Sequence, residues 1–174
     1  MAADEQAIQD AFRAAMRRVG STVTIVSAQN GSERHGTTAT SVTSISMEPP
    51  SILVCFNRSS RLHDFLSNKD RFCVNVLHTD NIETARIFSS PVVGSERFNS
   101  GNWRTDADGT PYLANAQANL FCRKEKEIGY GSHTIFIGRV TEARAREDIS
   151  PLLYRDGRYI ASASLGAPEA PAIK

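Results

Sequence analysis

Apolar residues recur at Ile8, Ala11, Phe12, Ala15, Met16 and Val19, a spacing of three and four that lays them on one face of a helix from about Asp4 to Val19 and predicts that the face packs on something. Gly20 breaks that period. Thr22 to Ala28 (TVTIVSA) reads as a strand that reaches Asn30-Gly31, a pair that favours a hairpin. The return strand leads into HGTTATSVTSIS, where seven of the ten residues from Thr37 to Ser46 carry a hydroxyl. Ser51 to Asn57 (SILVCFN) is a continuous apolar run of strand length, expected to be buried on both faces. Ser59-Ser60 can cap a short helix carrying Leu62, Phe65 and Leu66. Another strand is predicted at Phe72 to Leu77 and a second short helix at Asn81 to Phe88. Ser89 to Thr110, rich in Ser, Gly, Asn and Asp, reads as a long loop, a kind of segment that is usually functional or mobile. From Pro111 the chain returns to strands at Gln117 to Ile128 and Thr134 to Arg146, then a hairpin across Asp156-Gly157 into Arg158-Tyr159-Ile160.

At least six strands with few helices predict a mainly β fold, an antiparallel barrel or sandwich rather than a doubly wound sheet. Gly20, Gly31 and Gly36 lack the GxGxxG spacing at a strand-to-helix junction, so a nicotinamide nucleotide would not be held in a Rossmann crevice.

At 174 residues, 40% hydrophobic and 22% charged, the chain suits one core, and residues 1–166 are read as a single domain followed by a flexible tail at 167–174. Twenty basic against nineteen acidic side chains leave a formal charge of +1, and no basic run is present; this argues against nucleic-acid binding. Cys55, Cys73 and Cys122 are odd in number, lack CxxC spacing and sit in apolar runs, which fits buried thiols in a reducing compartment. Acids near the N-terminus and the lack of a long apolar stretch support neither a signal peptide nor a membrane span, so a cytoplasmic location is expected. No His/Cys/carboxylate cluster has metal-ligand spacing, and no metal is expected.

The hydroxyl run has two readings. Closely spaced Thr and Ser, with Gly36 permitting close backbone approach, would suit a ligand with phosphate oxygens and a carbonyl-rich ring. The same run could decorate a solvated strand face. His133 opens an apolar strand, where a histidine is more often a structural hydrogen-bonder. His35, His63 and His78 are read as structural.

The stretches FRAAMRRVGSTVTIVS, GTTATSVTSISMEPP, ILVCFNRSS, FCVNVL, HTIFIGRV and PLLYRDGRY, in this order and spacing, resemble the short-chain flavin reductases, the NAD(P)H-dependent partners of two-component flavin monooxygenases. The resemblance covers nearly the whole chain. It implies a split β-barrel assembled as a homodimer, FMN or FAD as the flavin, NADH or NADPH as the hydride donor, and a separate oxygenase that uses the reduced flavin. Residue by residue, it puts Thr38, Ala39, Thr40 and Ser41 along the isoalloxazine and ribityl chain. Cys55, Phe56 and Asn57 would lie against the flavin, with Ser59, Ser60 and Arg61 near its phosphate at a helix N-terminus, where simple capping by the two serines is an equally good local reading. His133 becomes the main catalytic-site residue, beside flavin and nicotinamide. Tyr154, Gly157, Arg158 and Tyr159 would border the nicotinamide nucleotide, and Arg97-Phe98, in the family's RF position, make the Ser89 to Thr110 loop a lid. Two departures stand out. Gly131-Ser132-His133 replaces the acidic residue many relatives carry before the histidine, and Arg155-Asp156 replaces apolar or small residues, which bears on the choice between NADH and NADPH. Two other readings remain: a flavin-binding module on the same barrel without a productive nicotinamide site, and an oxidase resembling pyridoxamine phosphate oxidase that grips a phosphorylated substrate through Arg58, Arg61 and Arg97.

Overall fold

The computed structural model describes residues 2–90, 94–163 and 166; the tail expected at 167–174 lies outside them. In chain order the elements are α1 (Ala2–Met16), β1 (Ser21–Thr22), β2 (Thr24–Asn30), β3 (Glu33–Ala39), β4 (Val42–Met47), β5 (Pro50–Asn57), α2 (Arg61–Asn68), β6 (Arg71–Val76), α3 (Ile82–Ser89), β7 (Trp103–Thr105), β8 (Pro111–Leu113), β9 (Ala118–Tyr130), β10 (His133–Ala145), β11 (Leu152–Arg155) and β12 (Arg158–Ala161), with short 3-10 turns at Thr79–Asn81 and Gly94–Asn99.

Seven strands form one antiparallel sheet in the order β3-β2-β6-β9-β10-β5-β4. Its two edges, β3 and β4, are consecutive in the chain and separated only by Thr40 and Ser41. Three Cα steps reach at most about 11 Å, so the sheet has to curl until its edges meet at that end. No strand pairing closes β3 onto β4 among the described residues, and the barrel is split there. A smaller sheet, β1-β11-β12, is tied to the large one through Val23: its amide donates to the Leu152 carbonyl at 2.9 Å and its carbonyl accepts from the Leu77 amide at 2.9 Å.

Alternation along β5 and β6 fills the inside of the curl. Ile52, Val54, Phe56, Phe72, Val74 and Phe136 pack there against Leu62, Phe65 and Leu66 of α2. β5 is not buried on both faces as expected: Leu53 and Cys55 are only half-buried, and the neighbouring edge strand β4 is largely exposed among the described residues. A second cluster joins Ile25, Leu77, Phe88, Phe98 and Leu113, with Trp103 packed against it.

Several expectations need correction. α1 runs from Ala2 to Met16 rather than from about Asp4 to Val19, and its apolar face is largely uncovered among the described residues, with Ile8 and Phe12 68% and 65% exposed. The first hairpin turns on Gly31-Ser32, with Gly31 at φ 59°, one residue later than read. The Asp156-Gly157 turn is as expected, both residues taking positive φ, 50° and 78°, which matches the twist of a two-residue hairpin. Ser89 to Thr110 is not a plain loop: α3 ends at Ser89, the Gly94–Asn99 turn is helical, and β7 pairs with β8. All three cysteines are free; Cys73 and Cys122 are buried, and burial pushes the Cys122 thiol up to about 12, so both are inert core groups. Among the described residues no helix is long and apolar enough to cross a membrane.

Candidate active site

A cavity of about 410 Å³ opens at the split of the sheet, within the size range of ligand pockets. The end of β3 lines it with Thr38, Ala39 and Thr40, and the β11-β12 hairpin with Tyr154, Gly157 and Tyr159. Thr24 Oγ1 donates to the Ala39 carbonyl at 2.7 Å and fixes the end of β3. The Tyr154 and Tyr159 rings meet edge to face with centroids 5.5 Å apart, and the Tyr159 hydroxyl lies 3.4 Å from Ser89 Oγ. The hydroxyls of Thr38 and Thr40 enter no hydrogen bond within the chain among the described residues. Each is therefore free to donate and accept toward ring carbonyls and N–H groups of a ligand.

Ser41 connects this cavity to β5. Its Oγ donates to the Cys55 carbonyl at 3.0 Å, and its own carbonyl accepts from the Cys55 amide at 3.2 Å. Two positions further along β5, Asn57 stands opposite His133 in the β5-β10 register. Asn57 Oδ1 accepts from both the amide and the hydroxyl of Ser59 at 2.9 Å. Ser60 Oγ accepts from the His63 amide at 3.2 Å and caps α2. Arg61 forms an ion pair with Glu33 at 3.0 Å. The capping reading of these serines is thus the geometry seen, and it is compatible with an anion at the remaining free N–H groups of the first turn. His133 is exposed, with Nδ1 2.9 Å from Ser132 Oγ. The Ser132 carbonyl accepts from the Arg58 amide, which joins the β9-β10 turn to the end of β5.

The sequence-derived residues therefore fall into two connected groups. Thr38, Ala39, Thr40, Tyr154 and Tyr159 share the cavity, while Ser41, Cys55, Asn57 and His133 follow the edge beside it, leading to Ser59, Ser60 and Arg61. Arg158 is exposed on β12 and is absent from the cavity lining. The Phe56 ring is 5% exposed and belongs to the core. Arg97 is 8% exposed and donates to the carbonyls of Gly36, Phe88 and Ser90, and the Phe98 ring packs on Phe88 and Trp103. Both side chains thus tie the Gly94–Asn99 turn to β3 and α3. With Arg97 buried, Arg61 paired and Arg58 lying over Gly129, the three arginines do not form a phosphate grip.

Gly36 also has another role than the one read from the sequence. A Cβ there would lie 2.9 Å from the Phe88 ring, so the close approach the glycine permits is that of α3 and not of a ligand. Behind the same stretch His35 is buried against Phe65, with ring centroids 5.3 Å apart. Burial, helped by the charges of Arg97 and Arg61, lowers its pKa to about 4. Val23 and Ser89 complete the cavity lining and were not anticipated. Tertiary pairing alone brings them there, and neither carries a local signal.

Residues 16–162 match the protein family described as "Flavin reductase like domain". The chain belongs to that family. Among flavin reductases it is 45% identical over 157 residues to the reductase component of the FADH(2)-dependent resorcinol hydroxylase of Rhizobium sp. (strain MTP-10005), covering 89% of this chain and 88% of that one. It is 36% identical over 149 residues to an FMN reductase (NADH), RutF 1, of Methylorubrum extorquens, covering 86% and 74%. The flavin reductase fold seen here superposes on the NADH:FAD oxidoreductase SgcE6 of Streptomyces globisporus C-1027, solved in complex with NAD and FAD fragments, with a TM-score of 0.80 and 32% identity over 91% of this chain and 93% of that one.

Proposed function

We propose that this chain is an NAD(P)H:flavin oxidoreductase, which moves a hydride from a nicotinamide to FMN or FAD and supplies the reduced flavin to a separate flavin-dependent oxygenase. The observation that carries this reading is the cavity at the split of the sheet, where the uncommitted hydroxyls of Thr38 and Thr40 face the same space as Tyr154 and Tyr159. That donor set fits a flavin, whose ring offers carbonyls and an N–H but no charge to be matched. Bound there, a flavin supplies the two-electron acceptor for the hydride. The chain's own task is to hold two rings in stacking distance and to keep the geometry fixed, which is where most of the rate of such a transfer originates. Thr38 and Thr40 bind the ring, Ser41 holds their loop on Cys55, and the two tyrosines wall the nicotinamide side. His133, its Nδ1 occupied by Ser132, offers Nε2 as a single hydrogen-bonding group at the rim.

Residues 1–166 act as one flavin-binding unit in this reading. The exposure of Ile8, Phe12 and Met16 on α1, at 68%, 65% and 50%, with Val19 just beyond the helix at 49%, supports a homodimer, because such an apolar stripe is ordinarily covered. We place the protein in the cytoplasm. The test is oxidation of NADH and of NADPH, followed at the nicotinamide absorbance band, with FMN or FAD added in turn. Flavin-dependent consumption is expected. Flavin binding by fluorescence titration with no consumption of either donor would instead make the chain a binding module.

A further inference from the structure

We propose that Gln117 is a positioning residue for the hydride transfer, which seats the β11-β12 hairpin and with it Tyr154 and Tyr159 at the cavity; the inference rests on the reductase reading above. Gln117 immediately precedes β9, is 9% exposed, and uses both ends of its backbone and both ends of its side-chain amide. Its backbone amide donates to the Val76 carbonyl at 2.8 Å and its carbonyl accepts from the Arg146 amide at 2.9 Å, which joins the C-terminal ends of β6 and β10. The side chain turns to a third segment. Nε2 donates to the Asp148 carbonyl at 2.9 Å, and Oε1 accepts from the Ser150 amide at 2.7 Å. Both partners are backbone groups, one able only to accept and the other only to donate, so the orientation of the side-chain amide is settled.

The segment held in this way connects β10 to β11 and so leads directly into the hairpin. Ile149 in its middle is 84% exposed, and that side chain gives the segment no apolar anchor. Polar contacts do the holding. Arg146 engages both carboxylate oxygens of Asp148 at 2.8 Å, but the two residues are neighbours in the chain and their pair shapes the segment rather than tying it down. Thr79 donates its amide to the Ser150 carbonyl at 2.9 Å from a half-buried position. His78 is buried 3.2 Å from Asp148 without a hydrogen bond at that nitrogen. Gln117 is therefore the buried side chain whose hydrogen bonds fix where the segment lies, among the described residues. A buried polar contact of this kind holds in a single register, whereas an apolar one tolerates sliding. The hairpin that follows walls the cavity with Tyr154, Gly157 and Tyr159, and a transfer between two stacked rings is sensitive to small displacements of such a wall.

Three variants test this, with circular dichroism to confirm their folds. Gln117→Leu keeps the bulk and removes both side-chain contacts. Gln117→Glu keeps the acceptor for the Ser150 amide and makes the donor to Asp148 conditional on a proton. Lys124→Met is the control: it removes the bonds from Lys124 Nζ to the Leu66 and Ser67 carbonyls, away from the hairpin. For the leucine variant kcat/KM for NADH is expected to fall about tenfold with FMN affinity unchanged, since Thr38 and Thr40 stand on β3 and its end. The control loses stability and keeps its kcat/KM. For the glutamate variant the deficit relative to the parent shrinks as pH is lowered from about 8 to about 6, because burial favours the protonated carboxyl, which can donate to Asp148 again. Protein labelled with fluorotyrosine reports on the seat without turnover: the fluorine resonances of Tyr154 and Tyr159 shift in the leucine variant and that of Tyr130 stays. Unmoved Tyr154 and Tyr159 resonances overturn the proposal, as does a kcat/KM equal to the parent's or a fall matched by the Lys124 control. If the leucine variant does not fold, the glutamate variant decides, and a deficit that persists at the lower pH overturns the proposal. Should the parent fail to oxidise NADH with any flavin, the reductase reading falls, while the fluorine shifts still report whether Gln117 seats the hairpin.

Discussion

Replacing Arg97 with methionine tests whether the Arg97-Phe98 pair holds the fold or serves a ligand. The methionine keeps most of the stem volume but removes every donor. In the parent, Arg97 Nη1 donates to the Gly36 carbonyl at 2.9 Å and to that of Phe88 at 3.3 Å, and Nη2 donates to that of Ser90 at 2.9 Å. Hydrogen bonds from a charged group contribute about 1.5–3 kcal/mol each, and an orphaned buried acceptor costs a similar amount. The three are not additive: the Phe88 contact is long, and the variant no longer has to desolvate a guanidinium, which offsets part of the loss. We expect a net loss of about 3 kcal/mol, a large share of a typical total stability of ~5–15 kcal/mol. Urea unfolding followed by fluorescence reads it directly, because the single tryptophan, Trp103, lies 4.7 Å from the Phe98 ring. Arg97→Lys, which can reach one carbonyl, should fall between the two. A loss below about 1 kcal/mol for the methionine variant, accompanied by impaired flavin reduction, would refute the argument and return Arg97 to a ligand-binding role.

Gly36→Ala places a Cβ against the Phe88 ring and should lower stability by about 1–3 kcal/mol through overpacking; an unchanged urea midpoint would mean that α3 moves aside freely. Thr40→Val, which removes a hydroxyl with no internal partner, should leave stability intact and weaken flavin binding about fivefold, the equivalent of one hydrogen bond; equal affinity in a fluorescence titration would make the run a surface ribbon. His133→Ala should reduce kcat/KM for NADH by about tenfold with the same unfolding midpoint, and unchanged kinetics would remove His133 from the site. Burial lowers the pKa of His35 from 6.5 to about 4, so between these values the unfolded chain takes up a proton that the folded chain refuses. Stability is then fully present above 6.5 and declines as pH falls toward 4. His35→Gln should flatten that decline in urea titrations at stepped pH, and an identical slope would show that carboxylates alone produce it.

Local pattern revealed much of this fold, and the reason differs from element to element. Strands β9, β10 and the last hairpin are legible from their own alternation and turn residues, and β6 from a short apolar run buried on both faces. The burial of Asn75 in the middle of FCVNVL is not legible from that run. Its Nδ2 donates to the Ile25 carbonyl and its Oδ1 accepts from Leu113 N and Asn119 Nδ2, a network that only the assembled sheet creates. The periodicity of α1 is correct, but a period says that a face is apolar and not where its cover is. The burial of Arg97 is not legible either: a charged residue in a segment rich in Ser, Gly and Asn reads as solvent-facing, whereas carbonyls of β3 and of the end of α3 converge on it. Within the site, Thr38, Ala39 and Thr40 and the hairpin tyrosines were identified through family resemblance, and no rule of spacing would have joined residues so far apart in the chain.

The place of the site follows from the sheet's connectivity. Edge strands are the part of a sheet where polar backbone groups lack partners, and joining both edges through only Thr40 and Ser41 puts those groups and their hydroxyls beside one another at a single opening. The hydroxyl run then divides its labour. Ser41 is committed to Cys55 and fixes the loop, while Thr24 of β2, outside the run, pins the end of β3, and the hydroxyls beyond β4's start decorate an exposed edge. Thr37, Thr38 and Thr40 are the ones left over, and of these Thr38 and Thr40 line the cavity. A ligand that binds them meets groups already oriented by neighbours that it does not touch, so it need not supply the ordering that a free loop would require. The split in the barrel is therefore the feature that turns an ordinary Thr- and Ser-rich stretch into a binding site, and closing β3 onto β4 would consume the same groups that the site needs.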